Sequence, residues 1–359
     1  MRTVGVEEEL ILVDPDTGEP RAVSGAVLAL TPGSGLEQEL QLEQLEVATR
    51  PSSAMSELSG EIKRWRAEAA RRAAKVGAVP VALATSPLPV HPSLTSSKRY
   101  RWMREEFALT AQEQLTCGCH IHVSVESDEE GVGVLDRIRP WLAPLMALSG
   151  NSPFWQGRDT GYSSYRSRVW GRWPSAGPVE IFGSAERYRQ QVRAMLDTGA
   201  LLDEGMIYFD ARLSRHYPTV EVRVADVCLE AEDTVLLAML VRALVETAAD
   251  EWRAGQPPDP AGIGLLRLAL WRAGRSGLDA HLVQPLLWTP APAQTVLRSL
   301  LDHAREALDE AGDLESAEGH LAELLERGSG ARRQREVFKR TGALRAVVKD
   351  CATRTVAQS

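Results

Sequence analysis

Cysteine is scarce in this sequence. The four present, Cys117, Cys119, Cys228 and Cys351, follow no spacing of a disulfide framework, so covalent staples are not expected to hold the fold. A surplus of positive charge is also missing. Lysine and arginine number 41 against 49 acidic residues, a net charge of −8, which leaves no broad positive field to gather nucleic acid. A local basic pocket stays open. Long apolar runs are lacking too: the strongest, VLLAMLV at 235–241, is too short to span a membrane and ends at Arg242. Arg2 runs at once into an acidic strand with no apolar leader segment, so a cytoplasmic location is expected. No P-loop, dinucleotide glycine fingerprint, or Ser/His/Asp or Cys/His arrangement is present.

What is there begins with TVGVEEELILVD, residues 3–14. Three consecutive glutamates sit in a run that otherwise reads as a β-strand, with turn chemistry at Asp14–Gly18. Side chains alternate along a strand, so Glu7 and Glu9 share one face while Val6, Glu8 and Leu10 share the other. Two carboxylates about 7 Å apart on one face can both reach a hard cation. Taken alone, the stretch suits a charged, solvated strand edge equally well.

Strand signals dominate the first part of the chain and helix signals the last. Turn chemistry recurs at Thr31–Gly35, a helix is expected from about Ser56 to Lys75, and VPVALATSP at 79–87 reads as a buried strand. Residues 88–104 read as a polar loop, 117–127 as a strand and 141–150 as an apolar helix. Residues 151–178 are rich in aromatic residues and glycine and lack periodicity, a pattern of functional loops. Two strands joined at Ser214–Pro218 are expected within 208–229. A helix is expected over Glu232–Trp252, then two or three more with breaks at 256–260 and 285–293, and a basic turn at Gly328–Arg340. The class is α+β, one unit over 1–359, strand-rich to 230 and mostly helical from 231.

Two further strands repeat the i, i+2 pattern. His120 and His122 share a face, as do Glu221 and Arg223, and alternation puts Cys117 and Cys119 opposite the histidines, which counts against a zinc cluster. LEVATRP at 45–51 offers Glu46, with Glu39 seven residues earlier. Singly, H-x-H suits a structural role and Glu-x-Arg a cross-strand ion pair. If these strands share one concave face, the carboxylates there need cations to stay ionised, and an oxygen-rich set with occasional imidazole favours Mg²⁺ or Mn²⁺.

GVEEEL, the Glu39–Glu46 stretch ending in LEVATRP, CGCHIHVSV, SPFWQGRDTGYSSYRSRVWGRWPSAGP and PTVEVRVADVCL, in that order, resemble the motifs of glutamate–cysteine ligase family 2, most closely its YbdK-type carboxylate–amine ligases. The resemblance runs from about residue 3 to 245, with a weaker echo near 330–335. Cys119 departs from it, standing where the family more often has methionine. The resemblance implies a glutamine-synthetase-like fold, in which a curved antiparallel sheet cups the active site and helices pack outside. It implies amide formation driven by ATP through an acyl phosphate, with glutamate as donor and cysteine as the usual acceptor. It also implies that Glu7, Glu9, Glu46, His120 and Glu221 hold Mg²⁺ and that Arg223 faces the transferred phosphate.

The aromatic segment is the expected substrate cover. Arg166 is the first candidate to pair with an amino-acid carboxylate, and Arg158 and Tyr162 are weaker ones. Trp155, Trp170 and Trp173 suit packing, and Arg332, Arg333 and Arg335 suit solvated charge better than an ATP contact. The expected partners are small amino acids, with no nucleic acid or membrane, and the helical last third offers surface for a homodimer. The same ligase chemistry on a different amine acceptor stays open; a metal-dependent hydrolase using the same cup on water is the rival reading, and a non-catalytic relative is a third.

Overall fold

The alternation in GVEEEL becomes a long central strand with two unlike faces. In the computed structural model, which describes residues 1–30 and 35–357, the strands among the described residues are β1 (Val4–Val13), β2 (Leu36–Gln38), β3 (Gln44–Ala48), β4 (Val79–Val81), β5 (Gly118–Ser124), β6 (Phe154–Trp155), β7 (Arg158–Asp159), β8 (Ala211–Leu213), β9 (Thr219–Asp226) and a two-stranded pair in the C-terminal part, β10 (His281–Val283) with β11 (Pro290–Pro292). Of the turn expected at Thr31–Gly35, all but Gly35 lies outside the described residues. One antiparallel sheet runs β2-β3-β1-β5-β9-β8, with β4 also paired to β1, while β6 and β7 form a separate hairpin.

The rear face of β1 is apolar apart from one residue. Val6 and Leu10 are buried there, and so is Glu8. The helices Met55–Ala74 and Ala231–Arg253 pack behind the sheet. The first presents Leu58, Ile62, Arg66, Ala69 and Ala73 as a buried stripe at helical spacing. Arg66 explains the buried glutamate. Its guanidinium donates to both oxygens of Glu8, at 2.7 and 2.8 Å, and to the carbonyls of Cys228 and Leu229. The Thr234 hydroxyl donates to Glu8 as well. Glu8 thus ties β1 to both helices.

That pair gives a stability prediction. Breaking a buried ion pair on one side leaves an uncompensated charge, which costs about 3–5 kcal/mol. Glu8→Gln or Arg66→Met should therefore lower the thermal midpoint strongly, read by circular dichroism. A midpoint unchanged in both variants would mean that the pair is not holding the sheet to its helices.

Several elements depart from expectation. Only Val79–Val81 of the 79–87 run is strand. The buried residues after it satisfy their backbone elsewhere: the Ala82 N–H donates to Thr355 Oγ1, and its carbonyl accepts from Asn151 Nδ2. Within the expected polar loop, Ser97 caps a helix, Lys98–Phe107, by accepting from the Tyr100 N–H at 3.1 Å. The expected basic turn at 328–340 is the helix Gly330–Thr341, which buries Ala331, Gln334 and Val337 and stops at Gly342 with φ +67°. Its arginines hid that narrow buried stripe. After Arg253 six helices follow among the described residues, more than the two or three expected. No helix among the described residues is long and apolar enough to cross a membrane.

Candidate active site

Cross-strand register decides which side chains meet on the front face. Glu7 stands opposite His120, Glu9 opposite Glu46, and His122 opposite Glu221. Glu39 follows the end of β2. These residues and Arg223 line one cavity of about 280 Å³, together with Arg212, Trp170, Trp173, Tyr208 and Tyr217. The sheet thus brings Glu7, Glu9, Glu46, His120, Glu221 and Arg223 together, and Glu39 and His122 with them.

Among the described residues three groups form, the ligand atoms within each lying within 4.8 Å of one another: Glu7, Glu46 and His120; Glu7, His122 and Glu221; Glu9, Glu39 and Glu46. Two of the three pair carboxylates with one imidazole, and none includes a thiolate, which fits a hard divalent cation. His120 Nδ1 lies 3.2 Å from Glu7, while its buried Nε2 has no hydrogen-bond partner among the described residues. A buried imidazole nitrogen without a protein partner has the chemistry of a metal ligand. Glu221 is the least free of the set, since Arg212 and Arg223 both donate to it.

Charge state follows from these contacts. Burial pushes Glu9 up to about 8, and the Glu39 charge adds to this against the opposing pull of Arg166 and Arg223. Glu46 is raised well above the carboxylate range by burial and then by Glu39 and Glu7. Burial would also raise Glu7, but the hydrogen bonds and charges of His120 and His122 outweigh it and hold Glu7 low. For Glu221 the same burial cost is outweighed by Arg223 and Arg212. His120 is pushed down to about 4 by burial and Arg223.

The sign of the resulting linkage is defined. A carboxyl raised in the folded state favours folding below its ordinary 4.5, and that stability is lost as pH climbs towards about 8. The opposite contribution of His120 is complete by its ordinary 6.5. The metal-free protein should therefore lose thermal stability between pH 7 and 8.5. Mg²⁺ should restore it, and by more at pH 8.5 than at pH 7, as measured by differential scanning fluorimetry. A midpoint flat in both pH and Mg²⁺ would show that these carboxyls do not share one charged pocket.

The candidates in the aromatic segment separate. Ser152 and Ser164 donate to the buried carboxylate of Asp226 at 2.7 and 2.8 Å, as does the Asn151 N–H, and this anchors the segment to β9. Arg166 is buried and lines a neighbouring cavity, not the cup. Arg158 and Tyr162, expected as substrate contacts, do not line the cup. Arg158 is exposed on the β6–β7 hairpin, and the Tyr162 hydroxyl accepts from Trp271 Nε1 at 3.2 Å. Arg158 thus stands on the exposed hairpin, while Tyr162, beyond it, packs against Tyr165 and Trp271. Trp155 packs on Tyr165, whereas Trp170 and Trp173 line the cup. Arg335 pairs with Asp159 and Arg332 with Asp279, so this basic stretch is engaged in surface ion pairs. Cys119 lies behind the sheet, but Cys117 precedes β5 beside Gln44, a residue of the cup wall.

Two cup residues had weak sequence signals. Arg212 faces the cup because β8 places it directly opposite Glu221, a relation that period-2 alternation on a three-residue strand leaves faint. Tyr208 lies outside any strand.

The sequence pattern that defines glutamate–cysteine ligase family 2 matches residues 3–350. The chain belongs to this family. A Streptomyces avermitilis protein, provisionally named glutamate–cysteine ligase 2-1, is 59% identical over 99% of both chains. A Streptomyces coelicolor relative with a similar provisional name is also 59% identical, over 99% of this chain and 100% of its own. Among solved structures, glutamate–cysteine ligase of Francisella tularensis in complex with AMP superposes with TM-score 0.73 at 16% identity, over 99% of this chain and 88% of that one. A bifunctional glutathione synthetase of Pasteurella multocida gives TM-score 0.73 at 15% identity, this chain spanning 52% of it. The family's glutamine-synthetase-like α+β fold, an antiparallel sheet with a helical C-terminal part, is the one adopted here.

Proposed function

We propose that this chain is an ATP-dependent carboxylate–amine ligase that activates the γ-carboxylate of glutamate as an acyl phosphate and joins it to an amine, cysteine first among acceptors. The observation that carries this reading is the single cavity in which four glutamates, two histidines and Arg223 converge beside Glu39 and Arg212. Family membership supports it, and so does the AMP bound to the Francisella tularensis ligase of the same fold.

A carboxylate oxygen attacks the γ-phosphorus of ATP, and the bond to ADP breaks. The amine then attacks the acyl carbon, and phosphate leaves with that carboxylate oxygen. No side-chain nucleophile takes part. Catalysis of such a transfer is mostly positioning and neutralisation of phosphoryl charge. Glu7, Glu9, Glu46, His120 and Glu221 would hold Mg²⁺ (or Mn²⁺), with Glu39 beside them, and the cation supplies that neutralisation when bound. Arg223 offers a planar, permanently charged fork to phosphate oxygens, and Glu221 orients it from the same strand face.

The test follows the oxygen. Glutamate labelled with oxygen-18 in its γ-carboxylate should pass label into released phosphate, with ADP as the nucleotide product and ATP cleavage dependent on glutamate. A panel of amines then ranks the acceptors. Label retained in unreacted glutamate while product accumulates rules out the acyl phosphate. Product release without ATP would instead favour a hydrolase working through the same cup.

A further inference from the structure

The helix Ile263–Ser276 takes no part in the cup and has two unlike faces. Its inner face buries Leu266, Ala269, Leu270 and Ala273 and packs on the apolar helix Leu142–Ser149. Its outer face is not the polar one that a solvated helix carries. Leu265 and Leu268 stand there 45% and 60% exposed, with Trp271 half-buried beside them. The other exposed side chains are Arg267, Arg272 and Arg275, and the helix holds no acidic residue, in a chain whose net charge is −8. Arg272 lies over the Trp271 ring, 5.2 Å from its centre, and forms no ion pair among the described residues. Arg275 donates to the Gly161 carbonyl; the carboxylate that feels its charge, Asp159, is already paired with Arg335. The loop between β10 and β11 adds a second apolar element. Leu286 and Trp288 have φ of +65° and +56°, a region that costs bulky side chains energy, and Leu286 and Leu287 are held 48% and 68% exposed. Trp288 Nε1 donates to Asp259 at 3.4 Å, which places this loop beside the start of the helix.

Exposed leucines among arginines mark a surface that gains by being covered. The charge decides what covers it. A second copy meeting this face about a two-fold axis would set the same arginines against one another. Nucleic acid would serve the arginines and leave the leucines in water. An anionic lipid surface serves both: phosphates take the arginines, the acyl boundary takes the leucines, and tryptophan suits the level between. No helix among the described residues is long and apolar enough to cross a membrane, and this one, with 14 residues and three arginines, lies in the plane of an interface instead. We infer that the outer face of Ile263–Ser276 docks the protein on anionic membrane lipid. Leu265 and Leu268 enter the acyl boundary, Arg272 and Arg275 face the headgroup phosphates, and Leu286 and Leu287 flank them. This docking asks nothing of the cup and holds whatever reaction the cup performs.

Vesicle flotation tests this on the full chain, with phosphatidylcholine alone and with phosphatidylcholine mixed with phosphatidylglycerol, at low and high salt. The wild type should float with the mixed vesicles at least about tenfold more tightly than with phosphatidylcholine, and salt should weaken the difference. Arg272→Gln should weaken binding to the mixed vesicles by about fivefold and Leu268→Ser by about tenfold. Both positions are exposed, so both variants should melt with the wild type by circular dichroism. Failure of the wild type to bind mixed vesicles, or equal binding to both kinds, would overturn the proposal. So would binding to mixed vesicles that neither variant weakens, since another face would then be responsible. A wild type that sediments as a dimer, and as a monomer in Leu268→Ser, would give the face to a second copy. Tight binding to soluble polyglutamate with no loss in Leu268→Ser would give it to an acidic protein, and either result overturns the lipid assignment.

Discussion

Glu46→Gln should cut Mg²⁺-dependent ATP turnover by about a hundred- to a thousand-fold, the scale on which removing one preorganised charge-stabilising group acts, while the metal-free protein melts no lower than wild type. The two halves of this expectation have one cause. Burial and the charges of Glu39 and Glu7 raise Glu46 well above the carboxylate range, so its carboxylate form is a liability to the metal-free fold. Glutamine keeps the shape, removes the repulsion and discards the charge that a divalent cation needs. Glu7→Gln should show the same loss of turnover, since Glu7 belongs to two of the three ligand groups. Glu221→Gln is a poorer probe: it leaves Arg212 and Arg223 without their shared carboxylate, so lost activity and lost stability would arrive together. The comparison is made with circular dichroism melts in chelator and steady-state turnover across an Mg²⁺ titration. Near-normal turnover of both Glu7→Gln and Glu46→Gln at limiting Mg²⁺ would remove the cation from the cup.

The cup was legible because strands carry their information at period 2. Glu7 with Glu9, His120 with His122, and Glu221 with Arg223 each declared a shared face before any neighbour was known. Pairing them required only that the faces coincide, and antiparallel register supplies that. The residues that escaped are those whose place depends on contacts distant in sequence. Glu8 was legible as the glutamate that turns away, but its partner Arg66 lies 58 residues later on a helix, and no local pattern announces that distance. Arg158 and Tyr162 sit in a segment whose composition suggested function, yet Arg158 is exposed on the β6–β7 hairpin and Tyr162 is bonded to Trp271, while Asp226 fixes the part that stays. Arginine-rich helices such as Gly330–Thr341 resisted reading for a related reason. Their buried stripe is three residues wide and the charge around it dominates the window.

Arg223→Lys should lower kcat by about a hundred-fold or more and leave the apparent affinity for ATP nearly unchanged. Arg223 is 7% exposed, lies over Trp170 and donates to Glu221, while its Nε has no partner among the described residues. Lysine preserves the charge and can reach the same carboxylate, so a residue that mattered only as a cross-strand ion pair would tolerate the exchange. What lysine lacks is the planar fork, with one edge on Glu221 and the other free for phosphate oxygens. An interaction made only as phosphoryl charge develops shows in kcat, whereas uniform binding of ATP shows in KM. The two accounts of Arg223 therefore diverge in separate measurements on one variant. A loss in kcat with a thermal midpoint near that of wild type supports the phosphate-facing role. A lowered midpoint with kcat intact reduces Arg223 to a structural partner of Glu221 and leaves phosphoryl charge to the cation cup alone.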